Sequence, residues 1–120
     1  MAQNPLVGTN WLLIEFAEGN VFTPVIPGTQ VTLEFAERDL AGSGGCNDYT
    51  ANYLLKLPEQ ISISNLSSTD KACSDPPGIM EQEERYFQNL QLVEKFSIPD
   101  GNPLVLSWNR GNSSLRFERA

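Results

Sequence analysis

Histidine is missing altogether from these 120 residues. The commonest general base, the commonest metal ligand and the usual partner of a catalytic serine or cysteine are therefore unavailable. Positive charge is scarce as well, with 8 Lys and Arg against 15 Asp and Glu and a net charge of −7. That balance argues against nucleic acid, whose phosphates demand cations. It argues equally against an anionic membrane surface. No apolar run approaches the ~18–20 residues of a membrane helix, so no membrane insertion is expected. The opening MAQNPLVGTN has no basic segment leading into an apolar one, and no early lipidatable cysteine. As written it reads as a soluble, untargeted, cytoplasmic chain.

What is present is the length and apolar content of one globular domain, expected over residues 1–120. NWLLIEFAEG reads as a buried strand, with Trp11 and Leu13 on one side and Leu12, Ile14 and Phe16 on the other. VFTPVIPGTQ, broken by Pro24, Pro27 and Gly28, reads as loop with at most a short edge strand. In QVTLEFAERD, Val31, Leu33 and Phe35 alternate inward. LAGSGGCND continues as a Gly-rich strand, followed by YTANYLLKL and ISISNLSS. KFSIPDGNP, LVLSWN and SLRFER are three short strands joined by turns at 99–102 and 109–112. These spacings predict an antiparallel meander.

CSDPPGIMEQEERYFQNLQLV breaks the rhythm. With Asp75 as N-cap and Pro76 at the first helical position, it predicts one amphipathic helix over 76–91. Ile79, Met80, Tyr86, Phe87 and Leu90 share an apolar arc of roughly 120°. Met80, Phe87 and Leu90 are the expected anchors, with Phe87, the largest wholly apolar member, deepest. Glu83 falls inside the arc, whereas Glu81 and Glu84 fall outside it. A carboxylate placed there must reach water at the helix edge or find donors inside. The best donors are the backbone N–H groups of Gly44–Asn47 and the side chain of Asn47. Gly44, Gly45, Asn47 and Glu83 would then form one structural joint. The functional alternative is a general acid in a cleft, which lacks a second catalytic group.

AGSGGCNDYT offers a glycine-rich loop, yet neither a P-loop nor a dinucleotide fingerprint is present, and a strand rather than a helix follows. The glycines instead suit a bulge or a close backbone crossing. Cys46 and Cys73 are the only cysteines, too few for a four-ligand zinc site. A disulfide would use both and would contribute roughly 3.5 kcal/mol on a chain-entropy estimate. Two free buried thiols are the alternative in a reducing compartment. No metal and no cofactor is expected.

GTNWLL, GSGGCNDY, STDKACSDP, MEQEERYFQNL and LRFER together resemble the META domains, also called HslJ-like after a bacterial heat-shock lipoprotein. The resemblance spans nearly the whole chain. It implies an α+β, mainly β fold: an antiparallel, barrel-like sheet of about seven to eight short strands with one helix over an end. It implies that Cys46 faces Cys73. It also implies a small module, often secreted, periplasmic or lipid-anchored, linked to stress or envelope functions, with no established enzymatic activity. The expectation is a non-catalytic binding or accessory module with an unidentified protein partner. A carrier of a small apolar ligand inside the barrel is the alternative. A carboxylate-dependent hydrolase using Glu83 comes third.

Overall fold

The computed structural model describes residues 4–120. Strands β1 (Asn10–Glu18), β2 (Val21–Pro24), β3 (Thr32–Phe35), β4 (Asp39–Ser43), β5 (Asp48–Lys56) and β6 (Gln60–Ser68) come first. Helix α1 (Ile79–Leu90) follows, then β7 (Lys95–Ser97), a 3₁₀ turn (Pro99–Gly101), β8 (Leu104–Trp108) and β9 (Ser113–Arg119). All pairings are antiparallel, so the fold is mainly β with one α-helix. β1 pairs with both β3 and β9, which brings the sheet round on itself. There are nine strands rather than seven or eight, because the short edge segment in VFTPVIPGTQ does form a strand, β2, hairpinned onto β1.

The ring is uneven. β5 and β6 pair along most of their length, from Tyr49↔Ser68 to Lys56↔Gln60. β6 and β7 share only the register pair Gln60↔Lys95. Two backbone bonds flank that pair, Ile61 N–H to Glu94 O (3.0 Å) and Phe96 N–H to Glu59 O (2.8 Å).

Alternation places Val31, Leu33 and Phe35 in the core as the pattern of β3 requires. β1 departs from simple alternation. Trp11, Leu13 and Phe16 are all buried, while Leu12 and Ile14 are only half-buried. The register against β9 slips between Leu13 and Glu15, and this bulge returns Phe16 to the face of Trp11. β6 behaves similarly: Ile61 and Ile63 point inward, but Asn65 adopts φ 56° and is exposed.

The ring's interior is filled by side chains. Trp11, Phe16, Leu33, Leu40, Tyr49, Leu104, Leu106, Leu115 and Phe117 are fully buried. α1 lies across one end, where Tyr86 packs edge-on against Tyr49 and Phe117. The helix begins three residues later than the cap at Asp75 would place it. Its N-cap is Gly78, in the left-handed conformation at φ 87°, with no side-chain cap. Pro77 steers Pro76 out of the helical region, so the Pro-Pro-Gly run must end before the first turn can begin.

Candidate functional site

A cluster of buried, hydrogen-bonded polar groups lies where α1 meets the β4–β5 turn. Gly44 and Gly45 bring the chain round, with Gly45 at φ 114° and Gly44 N–H bonded to Asn47 O at 2.8 Å. The turn aims the backbone N–H groups of Cys46 and Asn47 at the helix. Both donate to Oε2 of Glu83, at 2.8 and 2.6 Å. The Asn47 side-chain amide donates to Oε1 at 2.6 Å. Glu83 and Asn47 are buried, at 3 and 4% exposure. Every donor is a neutral amide, and among the described residues no ion pair reaches this carboxylate. Three amide donors replace the lost water, which is the condition for keeping a carboxylate inside.

Asn47 works in two directions. Its Oδ1 accepts from the Thr69 hydroxyl (2.8 Å) and the Lys71 N–H (2.6 Å). Its Nδ2 also reaches Lys71 O at 3.1 Å. One side chain thus connects the turn, the helix and the irregular segment that leaves β6. Cys46 and Cys73 form a disulfide beside it, with Cα atoms 6.0 Å apart.

Gly44 sits where no side chain fits. A Cβ there would lie 2.7 Å from Phe87 Cζ and 2.8 Å from Glu83 Cγ. Gly42 is tighter still, 2.2 Å from the Thr32 carbonyl oxygen. These glycines permit close backbone approach.

The anchors rank differently from their sizes. Tyr86 and Leu90 are fully buried and Ile79 nearly so, whereas Phe87 and Met80 are only partly buried. Phe87 is therefore not the deepest anchor; it covers Gly44 and tilts against Tyr49, with centroids 5.2 Å apart. On the helical wheel Tyr86 and Leu90 lie within about 20° of Ile79 and face the ring squarely, while Phe87 lies about 80° off at the rim.

Gln82 is the site residue that the sequence pattern does not single out. It is buried, its Oε1 accepts from Ile26 N–H at 2.7 Å, and its Nε2 donates to Thr29 Oγ1 at 3.2 Å. The available signal is its place on the wheel, about 60° from Ile79 on the side opposite Phe87, which flanks the buried arc. Gln82 and Glu83 thus peg the helix to two different loops.

Above them the hydroxyls of Tyr49 and Tyr86 are 2.6 Å apart, and Tyr49 donates to Thr32 O at 2.7 Å. Tyr86 must then be the donor to Tyr49. Burial raises both phenols well above the ordinary tyrosine value. They are inert hydrogen-bonding groups at neutral pH.

A cleft of about 760 Å³ is an open groove on the flank of β5, lined by Arg38, Asn52, Tyr53, Leu54 and Leu57 among others. It contains none of the joint residues. Away from this groove Val21 and Phe22 of β2 are 64 and 63% exposed. Between β2 and α1 lies a smaller cleft of about 220 Å³, lined by Phe16, Pro24, Ile26 and Arg85.

The family model described as META domain matches residues 4–120. A protein from Burkholderia xenovorans solved by NMR is similar, with TM-score 0.76 and 25% identity over 100% of this chain and 92% of that one. A DUF4847 family protein from Bacteroides vulgatus has the same fold, with TM-score 0.69 and 13% identity over 94% of this chain and 93% of that one. No curated protein matches.

Proposed function

Because the chain belongs to the META domain family, we propose that it is a non-catalytic, stress-associated module that acts by binding a protein partner. One observation carries this reading. Both oxygens of the buried Glu83 are committed to amides of residues 46 and 47. A general acid needs an oxygen turned toward substrate and a second group to work with. Glu83 offers neither, so its role is to hold the helix to the turn. The filled interior favours binding at the outer surface over carriage of an apolar ligand.

The surface we assign to the partner is the shoulder formed by Val21 and Phe22, beside the cleft between β2 and α1. Exposed apolar side chains on an edge strand are costly to leave in water and suit a partner's apolar patch. With a net charge of −7, a partner face rimmed by Lys or Arg fits best.

The test has two arms. Native mass spectrometry of protein purified from its own host is expected to give the bare mass; a retained small molecule in repeated preparations would favour the carrier. Cross-linking in heat-stressed cells is expected to give an adduct that maps to β2 and is lost in Phe22→Ser. An adduct that persists in Phe22→Ser removes β2 as the contact surface.

A further inference from the structure

The segment between Lys71 and α1 is fastened in an unusual way. Up to Lys71 it is tied to Asn47 by three hydrogen bonds. From Ile79 onward it is helix. Between these points Ala72, Ser74, Asp75, Pro77 and Gly78 are exposed and belong to no helix or strand. The attachments across this stretch are few: the Cys46–Cys73 bond, Cys73 N–H to Met80 Sδ at 3.4 Å, and Ile79 N–H to Pro76 O at 3.2 Å. Neither cysteine is buried.

The joint itself does not depend on sulfur. Glu83 is held by the backbone N–H of Cys46, not by its side chain. Asn47 makes all its bonds through amide and carbonyl groups. Opening the disulfide therefore leaves the joint, and with it the seat of α1, in place.

We propose that Cys46–Cys73 is a redox-modification site, a latch that a dithiol reductant opens in the native fold to free residues 72–78 alone. A thiolate of the dithiol attacks Sγ of Cys73. The disulfide breaks, Cys46 leaves as thiolate and takes up a proton, and a mixed disulfide forms on Cys73. The second thiol of the reductant, as thiolate, displaces Cys73, which is protonated in turn. The balance is two cysteine thiols gained and one dithiol oxidised to its disulfide. Cys73 is the attacked sulfur because exposed residues flank it on both sides. Cys46 lies between partly buried Gly45 and buried Asn47, and the adjacent Glu83 carboxylate opposes an incoming anion.

The test compares oxidised protein, dithiothreitol-treated protein and the Cys46→Ser/Cys73→Ser variant by limited proteolysis with proteinase K and by amide exchange. In both disulfide-free states cleavage within 72–78 is expected to rise about tenfold or more, while α1 and β5 keep their amide protection. Three results would overturn the latch: no change in 72–78, loss of protection across α1 and β5 together, or a disulfide that dithiothreitol reduces only in denaturant. A thioredoxin-type reductant lacking its resolving cysteine identifies the attacked sulfur. An adduct on Cys73 is expected, and one on Cys46 refutes the assigned order.

Discussion

Glu83 and Asn47 meet through both backbone and side chain: one amide N–H and one carboxamide of Asn47 close on the two oxygens of a single buried carboxylate. Two residues far apart in sequence thereby fix the angle at which the helix lies on the ring. Several substitutions probe how much of the fold depends on that contact.

Replacing Glu83 by Gln keeps a carbonyl acceptor for part of the array but places an NH₂ against an N–H donor. Replacing it by Ala removes the acceptor of three hydrogen bonds and leaves the N–H groups of Cys46 and Asn47 unpaired. Glu83→Ala is expected to cost about 2–4 kcal/mol and Glu83→Gln about half as much, since buried donors without partners carry their desolvation cost. Urea denaturation midpoints measure both. Equal stability of Glu83→Ala and wild type would show that the carboxylate holds nothing.

Gly44→Ala places a methyl group within 3 Å of Phe87 and Glu83. The expected loss is about 1–3 kcal/mol, the usual cost of overpacking. The double variant Gly44→Ala/Phe87→Leu should recover part of it, because the obstructing ring is gone. An unchanged melting temperature for Gly44→Ala would contradict the close approach.

Tyr86→Ala removes a fully buried ring and leaves Tyr49 without its partner, and is expected to cost about 3–5 kcal/mol. Phe87→Ala, at the rim, should cost distinctly less. The comparison is made by thermal or denaturant unfolding of the two variants side by side. The reverse ranking would mean that Phe87 is the true anchor.

The phenols of Tyr49 and Tyr86 also set a pH dependence. Both titrate higher in the folded chain than in the unfolded chain, because burial penalises the phenolate. Their contribution is complete below the ordinary tyrosine value near 10 and is lost as pH rises above it, where the unfolded chain sheds protons first. In a Tyr53→Phe variant, which leaves only these two tyrosines, absorbance of tyrosinate near 295 nm should therefore appear together with loss of near-ultraviolet circular dichroism. Ionisation of Tyr49 and Tyr86 in protein that stays folded at pH about 10 would refute the burial argument.

Much of this architecture is legible in the residues. Val31, Leu33 and Phe35 announce their strand by strict alternation, and a carboxylate inside an apolar arc announces that donors await it. The parts that escape are governed by tertiary context. The bulge after Leu13 is invisible to a period of two, so Phe16 seems to face the wrong way. Asp75 and Pro76 carry the chemistry of a helix start, but the second proline and Gly78 displace it. Phe87 outranks Tyr86 in hydrophobicity, yet depth follows angle rather than size, and a tyrosine with a hydroxyl partner is free to occupy the centre. Gln82 lies on the edge of the arc and has no charge to make its position conspicuous.

The pairing of β1 with β9 also governs how the molecule comes into being. Trp11, in the first strand of the domain, lies opposite Arg119, near the end of its last strand. Until β9 is made, the indole of Trp11 and the ring of Phe16 lack one wall of their shelter. Closing so long a loop is slow, and it rewards the chain only at the final step. Folding of the domain is thus expected to wait until β9 has left the ribosome, with an apolar strand open meanwhile to chaperones and to neighbouring nascent chains.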